Sequence, residues 1–496
     1  MIPSRFKLLR DTSRGVKSPA SRKPPRCRAG FILLLAGCLT SLGGLQPAQT
    51  FAGAPQTTLP SSVQPSPEAA ALVNKGFDLL SGKDAAGAEE AFRKAIDLQP
   101  ELEMAHRGLG MALRARGQDE AALRELETAT RLDPTNADTH YELGMTAWGL
   151  SNRVSTPKQA GRSPAQDYRA LAANEFRKLA ALRPKEASVR QILVEIDLEE
   201  GRKDAAFADG QEAIRLAPEK SDAHMVLGRA YFAGGEEEKA VAEYEKALAL
   251  NPKIGDAYLA LGQIRFFQQR YPQAEEYFQQ AIRLSPNLAP AYTGLAQIFT
   301  QHHRLAEARN MLEKAVALDP QDWQSQYLLA AALNETGETG RATSLLEKIT
   351  ELHPDFLPAR EQLVMGLIRR GELKQANAKV DALIAEEPQA AEGHRPRALI
   401  LWKQHNFEGA LAECAMALDT DPDSASMLAL QAICLWQFAR KRDSQAAYRQ
   451  AVKIEPRIGT AEVFCRLLLC DAGDIGIVED FLRRNRWVIA PPPPAP

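Results

Sequence analysis

No enzyme motif stands in this sequence. It has no phosphate-binding P-loop and no His-Glu-x-x-His zinc motif. Gly108-x-Gly110 lacks the third glycine of a dinucleotide fingerprint and falls inside a helical stretch. No catalytic residue set and no cofactor is therefore expected. Long hydrophobic runs are missing too. The stretch Phe31–Leu45 is fifteen residues, short of the roughly 20 that cross a bilayer. Basic residues are scarce beyond the first 30 residues, which hold nine Lys or Arg against the single acid Asp11. The remainder carries 52 basic and 62 acidic residues, a net charge near −10. Such a balance speaks against nucleic acid or an anionic membrane surface as partner, since both need basic surface.

A basic leader, a short apolar stretch and small residues beyond it read as a secretory signal over 1–52. Two processing sites compete. Thr50-Phe51-Ala52 is a small-x-small cut, and Leu35-Ala36-Gly37-Cys38 resembles a lipobox in which Cys38 is lipidated. The chain is thus expected to be exported, and either periplasmic or lipid-anchored in the cell envelope. Its only membrane contact would be that anchor. Residues 53–66, rich in Pro, Ser and Thr, read as a disordered linker.

From there the chain is periodic. Pro252 has counterparts 34 residues apart at Pro286, Pro320, Pro354, Pro388, Pro422 and Pro456. Backward, the series runs through Pro218 and Pro184 and, after one step of 50, Pro134 and Pro100. A 34-residue period with two amphipathic helices per copy marks a helical solenoid. With the proline as position 32, position 20 is Ala in every copy except Ser444, and position 8 is Gly, Ala or Val. Small residues at both places let two helices cross closely. Position 24 is bulky in most copies (Phe92, Phe176, Tyr244, Phe278) and is expected to fill the space between repeats. Position 15 is glycine in five copies, among them Gly201 and Gly235, as a left-handed helix cap requires. His106, His140, His224 and His394 all occupy position 4. They read as packed histidines facing the partner helix, not as metal ligands.

The pattern His224-x-x-Leu227-Gly228-x-x-Tyr231, then Ala240-x-x-x-Tyr244-x-x-Ala247 and Pro252, resembles the tetratricopeptide repeat (TPR) of exported bacterial proteins. The resemblance implies an all-α, right-handed α-solenoid of about eleven helix–turn–helix units over 67–458. An insertion is expected at 151–166, with the flanking helices ending near Leu150 and starting at Asp167. A capping helix pair is expected over 459–487, patterned on Val463, Leu467, Leu468, Ile477, Phe481 and Leu482, with Arg466, Arg483 and Arg484 facing solvent. Residues 488–496 form a proline-rich tail. Among the four C-terminal cysteines, Cys414 and Cys434 could meet as a disulfide or serve as buried small hydrophobes. Cys465 and Cys470, five apart on one helix, are expected to point to different faces and so not to pair together.

In the TPR family the first-helix stripe at positions 2, 5, 9 and 12 lines a groove for extended peptides. Carried over, it names Met225, Arg229, Phe232, Leu259, Gln263, Phe266, Tyr327, Trp402 and Trp436 as peptide-binding residues. Phe232 with Phe266, and Trp402 with Trp436, would make two apolar subsites separated by polar Thr300 and Asn334. The same side chains also suit packing between repeats. No copy pairs Lys at position 5 with Asn at position 9, the carboxylate clamp of chaperone-binding members. The resemblance implies a non-enzymatic adaptor or scaffold with a protein or peptide partner. The rival expectation is a structural part of a secretion, pilus or polysaccharide-export assembly.

Overall fold

The computed structural model describes residues 64–153, 164–470 and 472–485. The signal segment, Cys38, most of the linker, the centre of the insertion and the proline-rich tail lie outside the described residues. Among the described residues there are 24 α-helices and no strand. They are hairpin pairs in the register of the prolines, an all-α solenoid. First helices begin at position 1, as in Glu103–Ala115, Ser221–Gly234, Gly255–Phe267 and Ala391–Lys403. Second helices run from position 17 to position 30, as in Asp119–Leu132, Glu237–Leu250, Tyr271–Leu284 and Phe407–Thr420. The helices form two compact units, one reaching Ile298 and one starting at Phe299.

Packing within a hairpin follows the small residues. Position 20 is fully buried in every copy, from Ala88 through Ala240 to Ser444. The hydroxyl of Ser444 donates to the carbonyl of Ala432, its position-8 counterpart, at 2.7 Å. Position 24 then wedges between repeats. A Cβ placed on Gly262, in the same repeat, would come within 2.7 Å of the Phe278 ring. One placed on Gly294, in the next repeat, would come within 2.5 Å. The ring therefore occupies the volume two side chains would otherwise need, and close packing makes such positions intolerant of added volume.

Position 4 joins neighbouring repeats through hydrogen bonds. His106, His140, His224 and His394 each bond through Nδ1 to a glutamate at position 23 of their own second helix: Glu125, Glu175, Glu243 and Glu413, at 2.5–2.7 Å. Through Nε2 each bonds the carbonyl of the preceding repeat's proline, at 2.8–3.0 Å. Tyr292, Gln326 and Arg360 donate to the same proline carbonyl from the same position. Both ring nitrogens of each histidine are thus engaged within the fold. The hydrogen bond to Glu125 raises the His106 imidazole above its ordinary value, and that to Glu175 raises His140. Burial pushes Glu175 up, but the bonds from His140 and Lys178 outweigh it and hold the carboxyl low.

The turn after the first helix needs a left-handed residue. Gly201 and Gly235 supply it with φ of 74° and 83°. The same position takes φ of 57–64° in Lys83, Gln269, His303, His405 and Ala439, where no glycine announces it. At the N-terminal end, residues 64–66 are tied down and not free linker. Ser66 Oγ accepts from the Ala69 N–H, and Gln99 bonds both Ser66 and Gln64. The helices around the insertion run further into it than expected, ending at Arg153 and resuming at Pro164. Ser151 is buried, and Arg153 pairs with Asp119.

The C-terminal pair, Ala461–Leu468 and Ala472–Arg484, follows a short 3-10 turn, Pro456–Gly459. Its buried face is set by Phe464, Leu468, Val478 and Phe481; Val463, Leu467 and Ile477 are half-buried flanks. Tyr448, Phe464 and Phe481 meet ring to ring at 5.2–6.2 Å. Arg466, Arg483 and Arg484 are exposed. Cys465 and Cys470 do not diverge. The helix stops at Leu468, and Leu469, at φ 52°, turns Cys470 back so that its N–H donates to the Cys465 carbonyl at 2.9 Å. Cys414 and Cys434 are both fully buried free thiols. Burial pushes Cys434 up to about 12 and Cys414 well above its ordinary value.

Candidate functional site

In the unit ending at Ile298, the predicted stripe lies on Ser221–Gly234 and Gly255–Phe267, two first helices one repeat apart. Met225 and Phe232 are half-buried against the cluster of Ala240, Val241, Tyr244, Ala260, Leu261 and Ile264. Phe232 and Phe266 are joined through Phe267, with ring centroids 6.0 and 6.3 Å away. Phe266 also meets Tyr271 edge-on at 5.5 Å. All four aromatic residues are half-buried, none of them sealed in the core. The result is one continuous aromatic patch where two first helices end.

Three residues of the stripe are placed differently from expectation. Leu259 is 0% exposed and Gln263 2%, so neither lines an open surface. Neither amide atom of Gln263 has a hydrogen-bond partner. Arg229 is not free for a ligand backbone, because its guanidinium pairs with Glu195, the position-9 residue of the preceding repeat. Burial works against the charge on Arg229, but Glu195 outweighs it and holds the group protonated. Burial raises the Asp256 carboxyl nearby, with Arg229 pulling it back. Arg114 with Glu142 and Arg169 with Glu199 make similar pairs earlier in this unit. On the helix that carries Phe232, the one cation of the expected stripe is therefore already paired within the fold.

In the unit starting at Phe299, Tyr327 is half-buried and meets Phe356 edge-on at 5.1 Å. Trp323 meets Phe356 at 5.0 Å and stacks against His353 at 4.5 Å. Trp402 is 1% exposed and belongs to the core. The Phe481 ring of the terminal pair packs 5.9 Å from Trp436. The expected second subsite therefore does not form: one tryptophan is interior and the other lies against the cap.

Phe267, Tyr271, Trp323 and Phe356 went unnamed by the stripe. The signal for the first two was legible. Phe266-Phe267 doubles the aromatic at a first-helix end, and Tyr271 opens the next helix where a polar residue would serve. Among the described residues no helix is long and apolar enough to cross a membrane.

Tetratricopeptide repeat profiles match residues 253–321, 299–364 and 362–425. A TPR repeat profile matches 110–150 and 228–266. Among solved structures the chain is similar to PilF of Pseudomonas aeruginosa, with 19% identity over 42% of this chain and 95% of that one, TM-score 0.39. It is similar to MamA, with 22% identity over 38% and 93%, TM-score 0.32. It is also similar to YrrB, a TPR protein with an unusual peptide-binding site, with 19% identity over 41% and 96%, TM-score 0.32. No curated protein matches the sequence. The proline register, the helix hairpins that keep it and the matched profiles make this chain a tetratricopeptide-repeat protein, built as a protein-interaction scaffold.

Proposed function

We propose that this chain is a non-enzymatic adaptor of the bacterial cell envelope that holds an extended peptide segment against its first helices. The observation that carries the reading is the half-buried, surface-reaching patch of Phe232, Phe266, Phe267 and Tyr271. Aromatic side chains clustered at a surface supply large contact area at low entropic cost, as interface hot spots do. The ligand is an apolar, preferably aromatic, segment of a protein partner. Exported location rests on the basic leader and the short apolar stretch before residue 45. Nucleic acid is no partner of an acidic repeat region.

The test is a double variant, Phe232→Ala with Phe266→Ala, titrated with a peptide selected on the wild-type chain. Losing about 2 kcal/mol of anchor energy weakens binding roughly 30-fold or more, with helix content unchanged. A second reading, a structural part of an envelope assembly with no discrete peptide ligand, is favoured by the packing of Met225 and Phe232 against an inter-repeat cluster. Under that reading the double variant loses helix cooperatively, and the wild-type chain selects no peptide.

A further inference from the structure

Cys465 and Cys470 sit at the two ends of a helix-terminating closure. The Cys465 carbonyl accepts the N–H of both Leu469 and Cys470, the latter at 2.9 Å, around the left-handed Leu469. In this motif the residues three before and two past the helix end come side by side. Here those residues are the two cysteines, so the closure itself brings them side by side. Both are half-buried, within reach of a small reagent, whereas Cys414 and Cys434 are sealed in the core. Next to them half-buried Lys403, through Nζ, and buried Asp474, through Oδ2, pair at 2.5 Å and fasten the last helix to Ala391–Lys403.

We propose that Cys465 and Cys470 are a disulfide site, closed by exchange with a soluble organic disulfide such as oxidised glutathione. Cys465, as thiolate, attacks one sulfur of the reagent, forming a mixed disulfide and expelling one glutathione thiolate. Cys470, as thiolate, then attacks the Cys465 sulfur and expels the second. The protons lost by the two protein thiols are taken up by the two glutathione thiolates, so the protein is oxidised and the reagent reduced. Burial raises both thiols, so the exchange runs through a minor thiolate fraction; contact with Cys470 works against that rise at Cys465, which favours Cys465 as the first nucleophile. The bond locks the turn between the two capping helices.

The full-length chain is incubated with oxidised glutathione, blocked with an alkylating agent and mapped by peptide mass. The expected result is an internal bond joining Cys465 to Cys470, together with slower hydrogen exchange over 461–484. In Cys470→Ser the map shows glutathione retained on Cys465, and the exchange slowing is lost. The proposal is overturned if the native chain stays fully alkylatable at both positions, or if the bond that forms joins Cys414 to Cys434 instead.

Discussion

The histidine staple at His140 can be removed with a calculable effect. Its ring is almost fully buried, held by Glu175 Oε2 at 2.5 Å and by the Pro134 carbonyl at 2.8 Å. His140→Ala leaves that carbonyl unpaired, at a cost of about 1–3 kcal/mol. It also leaves a buried carboxylate with Lys178 as its remaining charged partner. Breaking a buried charged pair from one side costs about 3–5 kcal/mol, and the surviving Lys178 contact places the total near the lower end. His106, whose partner Glu125 is nearly a third exposed, loses less on the same change. The effect depends on pH with a defined sign. The folded His140 value lies above the ordinary 6.5, so its contribution is complete below that pH and lost as pH rises through the folded value. The folded Glu175 value lies below the ordinary 4.5, so its contribution is complete above that pH and lost as pH falls through the folded value. The staple therefore contributes most between pH 4.5 and 6.5. Urea titrations of wild type and His140→Ala, followed by helical circular dichroism at pH 5.5 and pH 9, should show the larger gap at the lower pH. A gap that is equal at both, or below about 0.5 kcal/mol, would refute the staple as an energetic element.

Ala240→Leu should destabilise the unit ending at Ile298 by about 1–3 kcal/mol, because position 20 is fully buried at the helix crossing; thermal melting checks it, and an unchanged melt argues against close contact there. Ala439→Gly should stabilise the C-terminal repeats by about 0.5–1 kcal/mol, since it removes a Cβ from a left-handed residue at φ 57° at some entropic cost in the unfolded chain; denaturant midpoints of the pair measure it. For the proposed export, Cys38→Ser should release the protein from the membrane fraction if the lipobox is used. Unchanged fractionation, with a mature N-terminus at Gly53, points to the soluble route.

The fold was legible because one residue type sets the register. Proline at position 32 cannot continue a helix, and the observed first helices starting at Ser221, Gly255 and Ala391 keep its 34-residue register. The wedge at position 24 was legible for the same reason, because the register aligns Phe92, Phe176, Tyr244 and Phe278; the space at Gly262 and Gly294 that the Phe278 ring fills shows only in the structure. The left-handed turn was legible where glycine supplies it, as at Gly201. It was hidden at Gln269 and Ala439, where tertiary packing holds a residue with no intrinsic preference for that conformation. The stripe misled at Trp402 and Leu259 because helix periodicity cannot distinguish a residue facing the next repeat from one facing solvent. Both are buried. Arg229 misled for an electrostatic reason: its partner Glu195 lies one whole repeat away, a distance at which no local pattern operates. Cys465 and Cys470 were misjudged because a helix end at Leu469 carries no glycine signal.

The most direct test of the scaffold account is site-specific photo-crosslinking in the native envelope fraction. A photoreactive phenylalanine analogue replaces Tyr271 in one sample and Leu250 in another. Tyr271 belongs to the aromatic patch, whereas Leu250 is an exposed residue at the end of a second helix. The account predicts a discrete adduct from position 271 that disappears with Phe232→Ala and Phe266→Ala, and no such adduct from position 250. An adduct from position 250 with none from 271 would contradict it and assign the interaction to the second-helix face.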